Sequence, residues 1–247
     1  MDSHAPHLIL EVLAYAVGAR LYWASRDPAA VPSRVSDRLF LLGGAVCGAA
    51  LGSKALYVAQ YASVLATQPA LTWLAGKTVV GGLLGGWLGV EVAKLAIGWP
   101  HSTGDRFVLP FAIAVMIGRI GCQLSGPWDL TYGTPTSLPW GWHYGDGIPR
   151  HPVAAYEVLG LAVVTAAVFL RPVAPHPGTR FRRFVAAYLL LRFGLEFLKP
   201  PHGAPIAGAL AADLRAGLTA IQWTCAAGVL WCLASLRRRS LPAPVTA

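Results

Sequence analysis

Long apolar runs separated by short polar connections are the main pattern along the chain. An α-helix needs about 20 mostly apolar residues to cross the hydrocarbon core of a bilayer. No segment repeats at a long period, so we expect a single domain that covers residues 1–247. The pattern predicts seven membrane-spanning helices, with the bounds Leu8–Ala24, Leu39–Tyr57, Thr78–Trp99, Phe107–Leu124, Pro152–Leu170, Phe184–Leu198 and Leu218–Leu236.

Glycine recurs at every fourth position in the second and third of these runs. Residues four apart lie on one face of a helix, and a face without side chains lets two helix backbones approach closely in lipid. We therefore expect a structural role for the two glycine faces, which comprise Gly44, Gly48 and Gly52 in one run and Gly81, Gly85 and Gly89 in the other.

The composition supports a membrane protein. Hydrophobic residues make up 55% of the 247 residues and charged residues only 13%, and the mean hydropathy is +0.53. An average soluble protein has about 25% charged residues, so this chain has too few to cover a soluble enzyme's surface. The four cysteines include no CxxC pair, and we expect neither a metal site nor a cofactor. The sequence predicts an all-α integral membrane protein.

The net charge of +9 suggests either nucleic acid as a partner or basic cytoplasmic loops. With this hydropathy we favour the loops and expect no nucleic acid, because cytoplasmic connections collect Lys and Arg. If the N-terminus lies outside, 11 basic residues fall in inner connections and 3 in outer ones. We therefore expect an outer N-terminus, a cytoplasmic C-terminus and a long outer loop, residues 125–151, between the fourth and fifth spans.

Several charged residues lie inside the predicted spans, where an unpaired charge is costly and points to function. Arg119 follows Arg106 by 13 residues, and Glu196 follows Arg183 by the same number, which places both about 20 Å from the cytoplasmic side. In a core about 30 Å thick they lie in the outer half. The polar residues that converge at this depth and outline an outer-leaflet cavity are Glu11, Tyr15, Arg119, Gln123, Tyr156, Glu157, Tyr188, Arg192 and Glu196.

Arg119 is the strongest candidate for a ligand contact. It lies between Gly118 and Gly121, which we expect to open space beside it. A guanidinium offers a planar fork of donors that suits a phosphate group. The neighbouring pair Arg192 and Glu196 is i, i+4, and it is equally compatible with a structural ion pair between helices.

The outer loop, Ser125–His151, is the longest connection and is rich in Gly, Pro and aromatic residues. Loops of this length are usually functional or disordered. We expect Asp146 and Arg150 to brace the loop. His151 is equally compatible with a structural and a catalytic role, and Asp129 is a further titratable candidate.

Several short motifs, taken in order, resemble the bacterial prolipoprotein diacylglyceryl transferase family. Any one of them is weak evidence, but their order along most of the chain is specific. They are Tyr15-Ala16-Val17-Gly18 in the first span, Gly81-Gly82-Leu83-Leu84-Gly85 in the third, Gly118-Arg119-Ile120-Gly121 in the fourth, the pattern Tyr132-Gly133, Leu138-Pro139-Trp140-Gly141 and Arg150-His151-Pro152 with Tyr156-Glu157, and finally Tyr188, Arg192 and Glu196.

The resemblance implies transfer of a diacylglyceryl group from phosphatidylglycerol, or another anionic phospholipid, to the lipobox cysteine thiol of a prolipoprotein. It also implies a site in the bacterial inner membrane that faces the outer leaflet. Arg119 and Arg192 would contact the phosphate, and Glu196 would orient Arg192. The thiol proton would go to Glu11, Asp129 or His151. The residues implied in substrate binding are Tyr15, Glu11, Gly118, Gly121, Gln123, Tyr156, Glu157 and Tyr188.

Several positions depart from the family pattern, among them Val80, Cys122 and Ser125. Val80 stands where the family has His, and Cys122 and Ser125 stand where it has Asn. The sequence therefore leaves two alternatives open beside the transferase: a divergent relative with another acceptor or lipid donor, and a non-catalytic lipid-binding membrane protein. A transporter would have polar residues through both halves of the membrane, whereas here they cluster in one.

Overall fold

The computed structural model describes residues 4–25, 32–74, 76–126, 131–172, 176–200 and 212–240. Helices account for most of these residues, which agrees with the predicted all-α membrane class. The helices are α1 (His4–Ser25), α2 (Val35–Gln60), α3 (Ala62–Leu65), α4 (Val79–Ile97), α5 (Val108–Ser125), α6 (Val153–Leu170), α7 (Thr179–Glu196) and α8 (Ala220–Ser240), with a 3-10 helix at Ala70–Leu74.

Two small antiparallel hairpins interrupt the helical pattern, one within the predicted long loop and one that includes the first two residues of the predicted seventh span, Leu218–Leu236. In the first, β1 (Trp142–His143) pairs with β2 (Pro149–Arg150). In the second, β3 (Leu214–Arg215) pairs with β4 (Leu218–Thr219), and Arg215 lies opposite Leu218.

Five helices in the described part of the chain are long and apolar enough to cross a membrane. Helices α7 and α8 lie where the sixth and seventh spans were predicted, but they are not among these five. The count of seven spans and the orientation therefore remain predictions. The five spans are Pro6–Ser25, Val35–Gln60, Val79–Ile97, Val108–Ser125 and Val153–Leu170.

Helices α2 and α4 pack antiparallel through the two glycine faces, which confirms the expected close approach. A Cβ atom added at Gly48 would lie 2.3 Å from the carbonyl oxygen of Gly85, and one added at Gly52 would lie 2.4 Å from that of Gly81. Contacts this short leave no room for any side chain, so the small residues set the distance between the helices.

The other helices continue this arrangement in antiparallel pairs. Gly18 of α1 faces Ala114 of α5, and the chain of neighbours then runs α5, α6, α7 and α8, with α8 also touching α2 and α4. The end of α2, the start of α4, the end of α5, the start of α6, the end of α7 and the start of α8 thus lie at one end of the bundle. We call this the site end.

Aromatic rings fill the bundle interior on the side away from the site end. The rings of Trp87 and Phe181 lie 5.2 Å apart, edge to face, and Phe111 contacts both Phe184 and Tyr188. Tyr188 and Phe184 are fully buried and stacked at 6.2 Å. These rings form the apolar floor below the buried charged residues of α5, α6 and α7.

Helix α7 begins where Asp105, from the preceding connection, binds its N-terminus. The carboxylate of Asp105 accepts hydrogen bonds from the backbone N–H groups of Gly178, at 2.6 Å, and Phe181, at 2.8 Å. A carboxylate here satisfies free N–H groups and complements the helix dipole. The helix therefore starts at Thr179, five residues before the predicted apolar run.

Candidate active site

Three charged side chains from three helices meet at the site end of the bundle. Glu157, one turn into α6, is 1% exposed. Its carboxylate lies 3.0 Å from Nε of Arg119 on α5 and 3.8 Å from Nε of Arg192 on α7. Glu157 therefore holds the two guanidiniums on either side of a single buried carboxylate.

The network continues from Arg192 to α2. Nη2 of Arg192 donates to Oε2 of Glu196 at 3.0 Å, one helical turn further along α7. The other oxygen of Glu196 accepts a hydrogen bond from Nε2 of Gln60 at 3.2 Å. The amide oxygen of Gln60 accepts the backbone N–H of Ile221, at the start of α8, at 3.0 Å. One polar chain thus joins five helices.

The spacing along α7 explains why its three functional candidates point the same way. Tyr188, Arg192 and Glu196 are four residues apart, so they form one stripe that faces the interior, and all three are buried. The hydroxyl of Tyr188 donates to Oε1 of Glu157 at 2.8 Å. The stripe therefore contributes a phenol, a guanidinium and a carboxylate to the same buried network.

The site carries excess positive charge and an unsatisfied hydrogen-bond donor. Two guanidiniums meet two carboxylates, which offsets the cost of burying each ion, and Lys199, just past α7, adds a positive charge that interacts with all four. Within the described part of the chain, the buried Nη1 of Arg192 has no hydrogen-bond partner. An unsatisfied cationic donor inside a membrane protein is expensive, and it indicates a place for an anionic group from outside the chain.

The two glycines beside Arg119 differ in what they face. A Cβ atom at Gly118 would meet nothing within 4 Å, as expected for space beside the guanidinium. Gly121 faces α1 instead, where its Cβ would lie 3.1 Å from Leu10 and where its small size lets the helices approach. Nη1 of Arg119 also lies 3.8 Å from the sulfur of Cys122.

The described part of the loop before α6, residues 131–151, is fixed to the site end by backbone hydrogen bonds. The N–H of Thr134 donates to the carbonyl of Leu198, just past α7, at 2.7 Å. Gly133 and Thr134 also exchange hydrogen bonds with the backbone of His151, and a Cβ atom at Gly133 would lie 2.6 Å from that residue. The loop therefore lies across the ends of α6 and α7, next to the charged network.

Three predicted site residues contact the loop rather than the arginines. Nδ1 of His151 lies 3.4 Å from the hydroxyl of Tyr156, which also accepts the indole N–H of Trp140 at 2.7 Å. Nε2 of Gln123, at the end of α5, donates to the hydroxyl of Tyr144 at 3.2 Å. His151, Tyr156 and Gln123 thus form an outer layer, while Glu157 faces inward from the residue next to Tyr156.

Arg150 braces the loop as expected, and it is fully buried. Its Nη1 lies 2.6 Å from Oδ2 of Asp146, and its guanidinium lies over the ring of Tyr132 at 5.5 Å. Although desolvation opposes the shift, hydrogen bonds from the N–H of Ile148 and from Arg150 keep the pKa of Asp146 below its usual value. The ion pair between Asp146 and Arg150 fixes the turn that joins β1 to β2.

The first-helix candidates form a separate cluster. Tyr15 is 67% exposed and its hydroxyl donates to Glu11 at 3.1 Å. Glu11 is ion-paired with Lys77, just before α4, and lies 3.5 Å from Nε2 of His7. In the described residues this cluster makes no ion pair with Arg119 or Arg192. Asp129, the remaining candidate, lies outside the described residues.

Gln60 is the member of the network that the sequence reasoning missed. It is 1% exposed and ends α2, after a run of apolar residues. A single amide at the end of a predicted span gives little signal by itself. The 1.5 Å rise per residue places it about 33 Å beyond Arg38, past the predicted span Leu39–Tyr57, so depth did not group it with Glu196.

Fold and site together define the class: an α-helical membrane protein with a buried arginine–glutamate site at one end of its bundle. Residues 8–237 match the prolipoprotein diacylglyceryl transferase family, and the chain belongs to that family. The resemblance carried by the ordered motifs is thereby confirmed.

Named relatives support the same family. The chain is 29% identical to the phosphatidylglycerol–prolipoprotein diacylglyceryl transferase of Bordetella parapertussis, over 88% of this chain and 82% of that protein. It is 30% identical to the protein of the same name from Polynucleobacter asymbioticus, over 89% and 80%. The corresponding protein of Azoarcus is 28% identical, over 93% and 87%.

Proposed function

We propose that this chain transfers the diacylglyceryl group of phosphatidylglycerol to a cysteine thiol of a prolipoprotein. The observation that carries the proposal is the pair of buried guanidiniums, Arg119 and Arg192, on either side of Glu157. The relatives named above support the donor lipid and the acceptor. Phosphatidylglycerol has the anionic phosphate that such a pair would recognise.

The reaction replaces one bond at a glycerol carbon of the lipid. The cysteine sulfur forms an S–C bond to the diacylglyceryl carbon, and the C–O bond to the phosphate breaks, so that glycerol phosphate leaves. Negative charge grows on the leaving phosphate oxygen. Arg119 and Arg192, fixed in place in a site of low dielectric constant, would stabilise that charge without rearranging. Tyr188 and Glu196 would keep the guanidiniums in position.

The thiol must lose its proton before or as the sulfur attacks, and we assign this step to His151. Its ring is held by Tyr156 and is partly exposed, next to the helix that carries Glu157. Glu11 is a poorer candidate because it is already ion-paired with Lys77. A histidine is well suited to accept a thiol proton near neutral pH.

We infer that the site opens to the outer leaflet of a bacterial inner membrane. The support is the distribution of basic residues, since 11 of them fall in the connections at the opposite ends of the spans. The positive-inside rule then puts the N-terminus and the site end outside. A secreted lipobox cysteine would reach the site from that side.

The direct test is to incubate the purified chain with labelled phosphatidylglycerol and a lipobox peptide, and to measure the product by mass spectrometry. We expect a diacylglyceryl thioether on the peptide cysteine and release of glycerol phosphate. A lipobox peptide with serine in place of cysteine is the matched control. If an active family enzyme modifies the peptide and this chain does not, another acceptor, another donor or lipid binding without transfer replaces the proposal.

A further inference from the structure

Gln60 is a buried amide at the end of α2 that contacts the charged network without carrying a charge itself. Its Nε2 donates to Oε1 of Glu196 at 3.2 Å, and its Oε1 accepts the backbone N–H of Ile221 at 3.0 Å. Its backbone carbonyl accepts the N–H of Asp213 at 2.8 Å. Gln60 therefore joins α2 to α7, to the start of α8 and to the segment before β3.

The helix that carries Gln60 has its position set by packing that does not involve the network. Helix α2 lies against α4 through the two glycine faces, where a Cβ atom at Gly52 would collide with the carbonyl oxygen of Gly81. Contacts this close fix the separation of the two helices. Glu196 is the last residue of α7. The hydrogen bond from Gln60 therefore ties the end of α7 to a helix pair whose spacing the glycines determine.

This hydrogen bond gives the two oxygens of Glu196 different partners. Oε1 accepts from Gln60, and Oε2 accepts from Nη2 of Arg192 at 3.0 Å. Nε of Arg192 faces Glu157 at 3.8 Å, and in the described residues its buried Nη1 has no hydrogen-bond partner. With Glu196 held in this rotation, the guanidinium is fixed through Nε and Nη2, and Nη1 remains for a group from outside the chain.

An amide suits this position because it donates a hydrogen bond without adding a charge. A cationic side chain would compete with Arg192 for Glu196, and a carboxylate would repel Glu196. An apolar side chain would leave Oε1 of Glu196 buried without this donor, which costs free energy and frees the carboxylate to rotate. With Gln60, the negative charge of Glu196 stays directed at Arg192.

We propose that Gln60 is a positioning residue: by fixing Glu196 from α2, it orients Arg192 so that Nη1 stays free for the phosphate of the donor lipid. The inference rests on the proposed function, in which Arg192 contacts that phosphate. A purely structural glutamine would affect stability alone. The positioning role also predicts a change in lipid affinity and a new pH dependence when the amide is replaced by a carboxyl group.

The first test compares Gln60→Met with Gln222→Met, which both replace a buried glutamine by an apolar side chain of similar length. Gln222 is 2% exposed, and in the described residues its amide bonds the backbone of Thr219 and Phe193. We measure Tm, transfer, and phosphatidylglycerol affinity by native mass spectrometry in detergent. Binding that Arg192→Gln removes is assigned to the site.

We expect Gln60→Met to weaken this site-dependent affinity and kcat/KM by about tenfold, because a hydrogen bond to a charged group contributes at least that factor. Gln222→Met is expected to lower Tm by a similar amount and to leave lipid affinity and kcat/KM unchanged. The difference between the two variants separates orientation of Arg192 from general packing.

Gln60→Glu supplies the readout in pH. A carboxyl group at this position donates to Glu196 while it is protonated and repels Glu196 once it is ionised. We expect lipid affinity, taken as a ratio to the unmodified chain, to fall as the pH rises. Lys199 and Tyr61 also interact with Glu196, and the ratio removes their contribution. Gln60→Met should give a ratio that does not change with pH.

The double variant Gln60→Glu with Glu196→Gln keeps an amide opposite a carboxyl group but moves the negative charge away from Arg192. We expect its Tm to recover toward that of the unmodified chain, because the contact between α2 and α7 is restored. Its lipid affinity should stay low, because Arg192 has lost the carboxylate that Gln60 holds in place.

Three results would overturn the proposal. They are unchanged lipid affinity in Gln60→Met, an equal loss of affinity in Gln222→Met, and recovery of affinity in the double variant. If the unmodified chain binds phosphatidylglycerol but transfers nothing, the proposed function fails, and the affinities still decide the role of Gln60. Absence of site-dependent binding in the unmodified chain would overturn both.

Discussion

The guanidinium Nε of Arg119 lies 3.0 Å from Oε2 of Glu157, a carboxylate that is 1% exposed and that also faces Arg192. One buried anion thus fixes the relative position of two cations on different helices. Each guanidinium is aligned before any ligand arrives, which is the arrangement that makes electrostatic stabilisation of a leaving group efficient.

Replacing Glu157 tests this role. In Glu157→Gln the two guanidiniums lose their shared counter-charge, and breaking such a buried pair costs about 3–5 kcal/mol of stability. We expect a lower Tm in detergent and a large loss of lipid transfer. Lys77→Gln, which breaks an ion pair with Glu11 in which both side chains are partly exposed, is the comparison and is expected to lower Tm less. Equal effects of the two variants would contradict the role given to Glu157.

Arg119→Lys keeps the charge but removes the planar fork of donors. We expect transfer to fall by about 10²–10³-fold, the cost of losing one fixed donor to a developing oxyanion. The Tm should stay close to that of the unmodified chain, since Lys can still pair with Glu157. Arg171→Lys is the matched control. Full activity in Arg119→Lys would exclude bidentate phosphate recognition by this residue.

His151→Gln tests the assigned base. Gln keeps a polar contact to Tyr156 but cannot take up a proton, so we expect a large loss of transfer and loss of the acidic limb of the pH–rate profile. Binding of the donor lipid should remain. An unchanged pH profile would move the proton acceptor to another residue, with Asp129→Asn as the next variant to measure.

Gly48→Ala tests the contact between α2 and α4. The added Cβ would lie 2.3 Å from the carbonyl oxygen of Gly85, so the helices must separate, at a cost of about 1–3 kcal/mol. Gly43→Ala is the matched control on the same helix, because its Cβ would meet nothing within 4 Å. We expect a lower Tm for Gly48→Ala alone, and equal Tm values would refute the close contact.

Asp213 gives a prediction about pH. Hydrogen bonds from the hydroxyl and the backbone N–H of Ser63 lower the pKa of Asp213 below its ordinary value of 3.8. Because the folded-state pKa is the lower one, this stabilisation is present above the unfolded pKa and is lost as the pH falls through the folded pKa. We expect Asp213→Asn to lower Tm at about pH 6, and we expect the difference to shrink as the pH falls below 3.8 and through the folded-state pKa. A Tm difference that stays constant as the pH falls would contradict the assignment.

Apolar runs predicted the long helices well but placed the start of α7 too late. The sequence interpretation counted Arg180, Arg182 and Arg183 as loop residues, because hydropathy reports where a segment becomes apolar. The structure starts the helix at Thr179, where Asp105 binds the free N–H groups. A cap from a distant segment leaves no periodic signal in the helix itself.

Helix periodicity and depth in the membrane predicted part of the candidate site. Those two rules brought Arg119, Glu157, Tyr188, Arg192 and Glu196 together, and the structure places all five in one network. The same rules grouped Glu11 and Tyr15 with them, whereas the ion pair with Lys77 holds these two residues in a separate cluster. Depth gives one coordinate only, and it does not say which side of the bundle a helix occupies.

The sequence by itself determined the membrane class, the helices, the glycine faces and the family, because each is written in local spacing, composition or motif order. The tertiary structure decided which charges share a partner and that Gln60 completes the network. These depend on how helices far apart in the chain rotate and pack against each other. The residues next to each other along the chain do not specify how distant helices pack.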